Sequence, residues 1–378
     1  MTTTSLWIPG PTEVRPELLA ECARPMIGHR FPEMTELLER IDPGLRLAFG
    51  LEADSSAHVA VHSCTASGLM ESVLRGVTGR VLSLVNGSFS KRFAEVAESL
   101  GLEVVRLQRE LGQAFSTEDV AVALRDQGPF EVVTACASET ATGTATLPSR
   151  IAAALVEHPD TMLFVDCVTW LAGAPIDLDA NRIDAAIAGT QKALALPPGL
   201  GLMAVSDRFL ERARKAPRRG WFLDPVKLVE CHAAKKPPMT PTISLHYALA
   251  RQLEEISSGD LEARLSDRPH PGPGAAAWAA RFARHARMRD RTIAWATERG
   301  LHHTCAREDV SPTVSSIDAG GRDVPAFLAH MREEGFRMGG GYGDLKQTAF
   351  RIGHMGDHTE AELEQLLAAA DRGLGSTA

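Results

Sequence analysis

"DAAIAGTQKALALPPGLGLMAVS", residues 184–206, carries one lysine between two apolar runs. Ile183 to Ala188 before it and Leu200 to Val205 after it are apolar and β-compatible, and a Pro-Pro-Gly loop stands between Lys192 and the second run. An ammonium flanked in this way is not an ordinary solubilising surface charge. Its amine either snorkels out of a core edge or takes part in covalent chemistry.

Upstream of that stretch the chain alternates. "HVAVHS" reads as a strand and "SGLMESVLRGV" as a helix with Leu69, Val73 and Leu74 on one side. "RVLSLVNG" is a strand, "FSKRFAEVAESLG" a helix closed by Gly101, and "LEVVRLQ" a short strand. Thr117 to Arg125 is helical after a Ser/Thr start. "FEVVTAC" and "TMLFVDCV" are strands on either side of the helix "PSRIAAALVEH", and "IDAAIAG" and "GLGLMAVS" follow as two more. This order predicts an α/β fold with a mainly parallel sheet covered on both faces, its ligands beyond the strand C-termini.

The flanks read differently. Residues 1–15 are extended and pack on a neighbour rather than folding alone, and helical patterning follows over Pro16–Ala23 and Pro32–Leu47. Past about residue 250, "SLHYALARQLEEI" and "GAAAWAARFARHARMRDRTIAWATERG" are long amphipathic helices split by a surface turn, "SDRPHPGPG". Strands follow near Ser311–Ile317 and Ala349–Ile352, and T-E-A-E from Thr359 supplies a capping box for a closing helix. The expected division is a large α/β domain over 16–258 and a small α+β domain over 259–378.

Bulk properties exclude some classes. A chain of 378 residues, 44% hydrophobic and 23% charged, has the makeup of a globular protein with more than one domain. The formal net charge of −8, with signs interspersed, argues against nucleic-acid binding. No signal-peptide pattern and no run near the roughly 18 apolar residues of a membrane span are present. Six scattered cysteines without a CxxC pair predict reduced thiols and a cytoplasmic location. No HxxxH or HExxH spacing marks a metal site, so no metal is expected, and His29, His58, His62 and His354 read as satisfied polar residues.

Polar residues gather at strand ends. In "HSCTASGLME", Thr65, Ala66 and Ser67 precede a helix, and they either rim an anion site at its N-terminus or simply cap it. No GxxxxGK[ST] pattern points to a nucleoside triphosphate. Asp166 ends the apolar strand of "FVDCVTW", where a carboxylate meets a pyridinium or an arginine, or is a strand-end cap. In "ASETATGT", Glu139, Thr140 and Thr142 face a cofactor or cap a helix. Arg351 in "FRIGHMGD" is a ligand or half of a structural salt bridge. Cys64, Cys136 and Cys167 read as small buried hydrophobes, and "GGGYGDLK" as a flexible loop on the substrate side, since no strand–GxGxxG–helix unit surrounds it.

Together these segments resemble the fold-type I pyridoxal-phosphate enzymes and, within them, the class V aminotransferases of the alanine–glyoxylate and serine–glyoxylate (serine–pyruvate) branch. The resemblance runs through "IPGPTEVRPELL", "PMIGHRFPEM", "SGLMESVLRGV", "VNGSFSKR", "SETATGTATLP", "LFVDCVTWLAGAPID", "GTQKALALPPGLGLMAVS", "TPTISLHYAL" and "FRIGHMGD". It implies a large domain with a mainly parallel seven-stranded sheet, a smaller C-terminal α+β domain, and pyridoxal 5'-phosphate as cofactor. Lys192 matches the lysine that bonds the cofactor, and Asp166, 26 residues earlier, the carboxylate that pairs with its pyridine nitrogen. Thr65, Ala66, Ser67 and Gln191 match phosphate contacts, Phe89 the aromatic over the ring, and Thr140 a hydroxyl near the 3′-oxygen. Thr240 matches a threonine that reaches the neighbouring subunit's phosphate, implying a homodimer with a shared active site. Arg351 matches the arginine that receives the substrate carboxylate. T-A-S stands where many relatives carry a glycine, Phe89 where they often have Trp, and "KKPPMTPT" lacks an aromatic before the threonine.

The activity so implied is ping-pong transfer of an amino group from a small amino acid, of the alanine, serine or glycine type, to glyoxylate or pyruvate. It requires a lysine whose pKa is lowered by desolvation and nearby positive charge. A 2-aminoethylphosphonate–pyruvate transaminase, whose donor lacks a carboxylate, is an alternative that "FRIGHMGD" disfavours. A lyase such as a cysteine desulfurase needs a cysteine on a mobile loop and commonly has His, rather than Gln191, before its lysine. A scaffold kept only for interaction would have no reason to hold Lys192, Asp166 and Arg351 together.

Overall fold

Val81–Val85, Val132–Cys136, Met162–Asp166, Ala185–Gly189 and Gly201–Val205 are buried at every position. Strands apolar on both faces belong inside a sheet that is covered on both sides. In the computed structural model, which describes residues 4–376, they do so. Among the described residues a seven-stranded sheet runs in the order His58–His62, Gly201–Val205, Ala185–Gly189, Met162–Asp166, Val132–Cys136, Val81–Val85, Val104–Gln108. Gly201–Val205 is antiparallel to both neighbours and every other pairing is parallel.

Alternate residues of each strand feed opposite cores. Leu82 and Leu84 join Leu37, Ile41 and Leu45 of the helix Pro32–Ala48 and Leu249, Leu253 and Ile256 of the helix Ile243–Ser258. Val81 joins Leu69 and Val73 of the helix Ala66–Leu74 and Val226 and Val229 of the helix Pro225–Ala233.

A five-stranded sheet is ordered Ser5–Trp7, Phe336–Gly340, Ala349–Ile352, Ser315–Asp318, His302–His303. Its core holds Trp7, Trp295, Phe327, Phe350 and Leu366, under the helices Ala275–Glu298, Val324–Glu333 and Glu360–Ser376. The capping box read at Thr359 forms: the Glu362 amide donates to Thr359 Oγ1 at 3.1 Å and the Thr359 amide to Glu362 Oε2 at 2.7 Å. The extended start of the chain finds its neighbour within the molecule, as Ser5–Trp7 pairs in parallel with Phe336–Met338. The strand expected over Ser311–Ile317 begins only at Ser315; upstream of it the Ser311 amide bonds to the Gly143 carbonyl at 2.8 Å, outside the sheet. We propose the division of the chain near Ser258 on the separateness of this third core and on the helix end at Gly259, with φ 90°.

Candidate active site

The parallel register sets Cys136 beside Asp166 and Asp166 beside Ile187, so the loops that follow these strands leave the sheet at one edge. His62 lies opposite Gly201, and Gly201 opposite Gly189, which brings Thr65–Ser67 to the same edge. Thr65, Ala66, Ser67, Phe89, Thr140, Asp166, Gln191 and Lys192 therefore line one cavity of about 260 Å³. Thr240 is exposed and is not part of that lining. Arg351 reaches the cavity's rim through the backbone, donating from Nη1 to the Thr140 carbonyl at 3.1 Å.

The lysine is held by its main chain. Thr12 donates from its amide to the Gln191 carbonyl at 3.1 Å and from Oγ1 to the Lys192 carbonyl at 2.9 Å. Arg281 takes the Ala193 carbonyl at 2.5 Å and Gln252 the Leu194 carbonyl at 2.9 Å. Four successive peptide oxygens are thus fixed by distant groups. The amine itself donates to the Pro9 carbonyl oxygen. Gly10, at φ +107°, passes so close that a Cβ there would lie 2.8 Å from Nζ, so only glycine is accommodated.

Desolvation lowers the Lys192 pKa to about 8; the Asp166 carboxylate opposes this and the Arg351 charge adds to it. Burial pushes Asp166 up to about 6 against a hydrogen bond from the Val168 amide at 2.8 Å. The two groups share the cavity with pKa values drawn towards each other, an arrangement typical of functional sites.

Phe89 owes its position to Glu139, whose buried carboxylate accepts from the Phe89 and Ser90 amides at 3.0 Å each and from Ser90 Oγ at 2.9 Å. An anion here meets the positive end of the helix Ser88–Ser99. A Cβ on Gly87 would lie 2.4 Å from Glu139 Cδ, which explains the glycine. Of Glu139, Thr140 and Thr142 in "ASETATGT", Glu139 is therefore the helix cap. Thr140 Oγ1 stays in the cavity, 2.6 Å from Thr169 Oγ1, and Thr142 turns to Thr144 at 2.7 Å. Thr65 Oγ1 accepts from the Gly68 amide at 3.4 Å, a long contact that leaves the hydroxyl free for other partners.

Arg351 makes no ion pair among the described residues, so the salt-bridge alternative does not describe it. Its Nε donates to the Gly340 carbonyl at 2.8 Å, and Cζ stands 5.6 Å from the Tyr342 ring centroid. Sequence reasoning missed Arg92, which lines the cavity with Cζ 5.0 Å from the Phe89 ring and has no hydrogen-bonded or ionic partner among the described residues. Its only signal was the spacing Phe89–Arg92, one helical turn.

Cys136 and Cys167 are buried as expected and Cys64 only partly so; burial pushes Cys136 and Cys167 well above the ordinary thiol range and Cys64 up to about 12. The histidine reading needs correction at His62, whose buried Nε2 has no partner and whose pKa desolvation pulls down to about 4. His58 pairs with Asp207 at 2.8 Å and His354 Nε2 meets Ser315 at 3.0 Å, while His354 Nδ1 is unpartnered. No group of three His, Cys, Asp or Glu residues gathers as a metal site among the described residues.

Residues 64–268 match the family described as aminotransferase class-V. An uncharacterized aminotransferase of Methanocaldococcus jannaschii is 31% identical over 98% of this chain and 92% of its own length. The chain belongs to the class-V aminotransferases. A serine–glyoxylate aminotransferase of Methylorubrum extorquens is 29% identical over 98% of this chain and 90% of its own. The crystal structure of a subgroup IV aspartate aminotransferase from Thermus thermophilus superimposes with a TM-score of 0.86 at 28% identity, covering 99% of this chain and all (100%) of that one.

Class-V aminotransferases are fold-type I pyridoxal-phosphate enzymes, and this cavity suits that cofactor. It offers an amine of lowered pKa, a buried carboxylate bonded among the described residues only by a backbone amide and so in want of a cation, and a helix N-terminus with hydroxyls at Thr65 and Ser67. No helix among the described residues of this class-V enzyme is long and apolar enough to cross a membrane.

Proposed function

We propose that this class-V aminotransferase moves an amino group from a small amino acid, of the alanine, serine or glycine type, to a 2-oxo acid such as glyoxylate or pyruvate in a ping-pong cycle. The observation that carries the reading is the meeting of Lys192 and Asp166, with pKa values of about 8 and about 6, on one cavity beside Arg351, which makes no ion pair among the described residues. Lys192 and Asp166 are the catalytic pair. Asp166 would hold the pyridine nitrogen of pyridoxal phosphate in its protonated state. Thr65, Ala66, Ser67 and Gln191 would hold its phosphate, with Phe89 over the ring and Thr140 near its hydroxyl.

Bound pyridoxal phosphate supplies an electron sink that makes the Cα–H bond of an amino acid acidic. The rest falls to the protein. Near neutral pH a usable share of Lys192 is uncharged, so its amine can take the Cα proton and return it. Arg351, fixed by the Gly340 and Thr140 carbonyls, offers its remaining donors to the α-carboxylate and orients that bond. The raised thiols of Cys64, Cys136 and Cys167 disfavour a cysteine-based lyase.

We also infer a homodimer. Trp221 and Phe222 are 67% and 45% exposed near the segment of Thr240, and a second copy would cover them while Thr240 reached the partner's phosphate site. The six free cysteines support a cytoplasmic location.

A panel of amino donors against glyoxylate and pyruvate tests the assignment, followed through the absorption of the bound cofactor in separate half-reactions. Alanine, serine or glycine should convert it to the amine form, and glyoxylate or pyruvate should convert it back. Conversion by 2-aminoethylphosphonate alone, or by no donor, would overturn the reading.

A further inference from the structure

A second cavity, of about 420 Å³, lies alongside the lysine cavity and has Gly87, Ser88, Ala141, Thr142 and Tyr342 in its wall. The two walls are neighbours in the chain: Phe89 and Thr140 line the first, and Ser88 and Ala141 the second. Tyr342 belongs to the second wall, is 41% exposed, and reaches the first wall through Phe89. Its ring centroid is 5.8 Å from that of Phe89, within the range of direct aromatic contact, and 5.6 Å from Arg351 Cζ. The glycines before it set this position, since a Cβ on Gly341 would fall 1.9 Å from the Leu345 carbonyl oxygen.

We propose that Tyr342 is a specificity-determining residue of the donor site, closing the lysine cavity against the second cavity so that only short side chains are accepted. The inference rests on the aminotransferase reading and names what enforces its substrate class. A carboxylate held on Arg351 lies beside the Tyr342 ring, and a donor side chain longer than that of serine meets the Phe89–Tyr342 contact. Beyond the ring, the second cavity carries Lys91, Arg106 and Arg109 against one acid, Asp344. These cations pair with acids outside the cavity wall, Glu95, Glu98 and Asp119, which together with Asp344 leave no positive excess. Removal of the ring therefore opens a path to longer side chains, charged or not.

The test compares alanine, 2-aminoadipate and norleucine as donors for the loaded enzyme and its Tyr342→Ala and Tyr342→Phe variants. Tyr342→Ala should raise the ratio of kcat/KM for 2-aminoadipate to that for alanine by about tenfold or more, mainly through KM, with a comparable gain for uncharged norleucine. Tyr342→Phe, which keeps the ring, should hold the wild-type ratio. An unchanged ratio in Tyr342→Ala, or an equal shift in Tyr342→Phe, would overturn the proposal. Glutarate binding, read from its perturbation of the cofactor spectrum, gives a second measure that needs no turnover. It should tighten about tenfold in Tyr342→Ala, and an unchanged Kd would also overturn the proposal. Failure of the wild type to use any small donor would count against the aminotransferase reading, and the glutarate comparison would still decide the role of the ring.

Discussion

Arg281 donates through Nη2 to the carbonyl oxygen of Ala193, the residue directly after the lysine, at 2.5 Å. The same guanidinium pairs with Glu262 at 2.9 Å and with Asp357 at 3.0 Å, and Arg284 shares Glu262 at 2.8 Å. Desolvation offsets much of the attraction within such a buried cluster, but removal of Arg281 leaves Glu262 to Arg284 and Asp357 to Arg15, one cation short. Arg281→Met is expected to lose about 3–5 kcal/mol of stability, read as a lower urea midpoint at unchanged slope. A loss under about 1 kcal/mol would mean that the cluster relaxes without it.

The two perturbed groups of the cavity make opposite pH signatures in the cofactor-free protein. Lys192 titrates at about 8 when folded against an ordinary 10.5, so the unfolded chain binds more protons between those values and stability rises with pH across them. Asp166 titrates at about 6 against 3.8, so the folded chain binds more protons there and stability falls as pH rises through that window. Asp166→Asn should remove the fall. It should also move the lysine below 8, because the carboxylate is what raises it. The pH dependence of pyridoxal-phosphate capture by the amine reports this, with an inflection near 8 in the wild type. An inflection that stayed put or rose in Asp166→Asn would refute the coupling.

Much of the fold was legible because five-residue apolar runs and helical periodicity repeat through the first 205 residues. The strand-end residues could be grouped in advance because parallel strands deliver their C-termini to one edge. What the sequence concealed depends on long-range contact. Pro9 and Gly10 meet a lysine more than 180 residues away, a contact that their place in "IPGPTEVRPELL" does not reveal. Arg281 and Arg284 look like solvent-facing charges of an amphipathic helix, because their acids Glu262 and Asp357 come from other segments. Glu139 reads as part of a cofactor loop until the start of the Phe89 helix is seen upon it. Short strands such as Ser5–Trp7 carry too few residues to show alternation.

Lys192→Ala should abolish turnover and leave the fold intact, since the main-chain bonds to residues 191–194 do not use the side chain. Borohydride should fix cofactor to the wild type and not to the variant, while both give the same circular-dichroism spectrum. Transamination that persisted in the variant would remove the lysine from the mechanism.

Arg351→Ala should raise KM for donor and acceptor alike, because both present a carboxylate and a charge-assisted hydrogen bond contributes about 1.5–3 kcal/mol, or roughly 10–150-fold. Steady-state kinetics at saturating cofactor measure it. An unchanged KM for both substrates would move the carboxylate site elsewhere.

Arg92 is the arginine in the wall of the lysine cavity, alongside Thr65, Ala66 and Ser67, and no acid neutralises it by direct pairing among the described residues. A guanidinium so placed favours a dianion, and the phosphate of the cofactor is more highly charged than a substrate carboxylate. Arg92→Ala is therefore expected to weaken pyridoxal-phosphate binding by about tenfold or more. KM for amino donors at saturating cofactor should change far less. Equilibrium titration of the cofactor-free protein gives the first number and steady-state kinetics the second. The opposite pattern, an intact cofactor Kd with a raised donor KM, would assign this charge to the substrate and make the cavity one with two carboxylate-binding arginines.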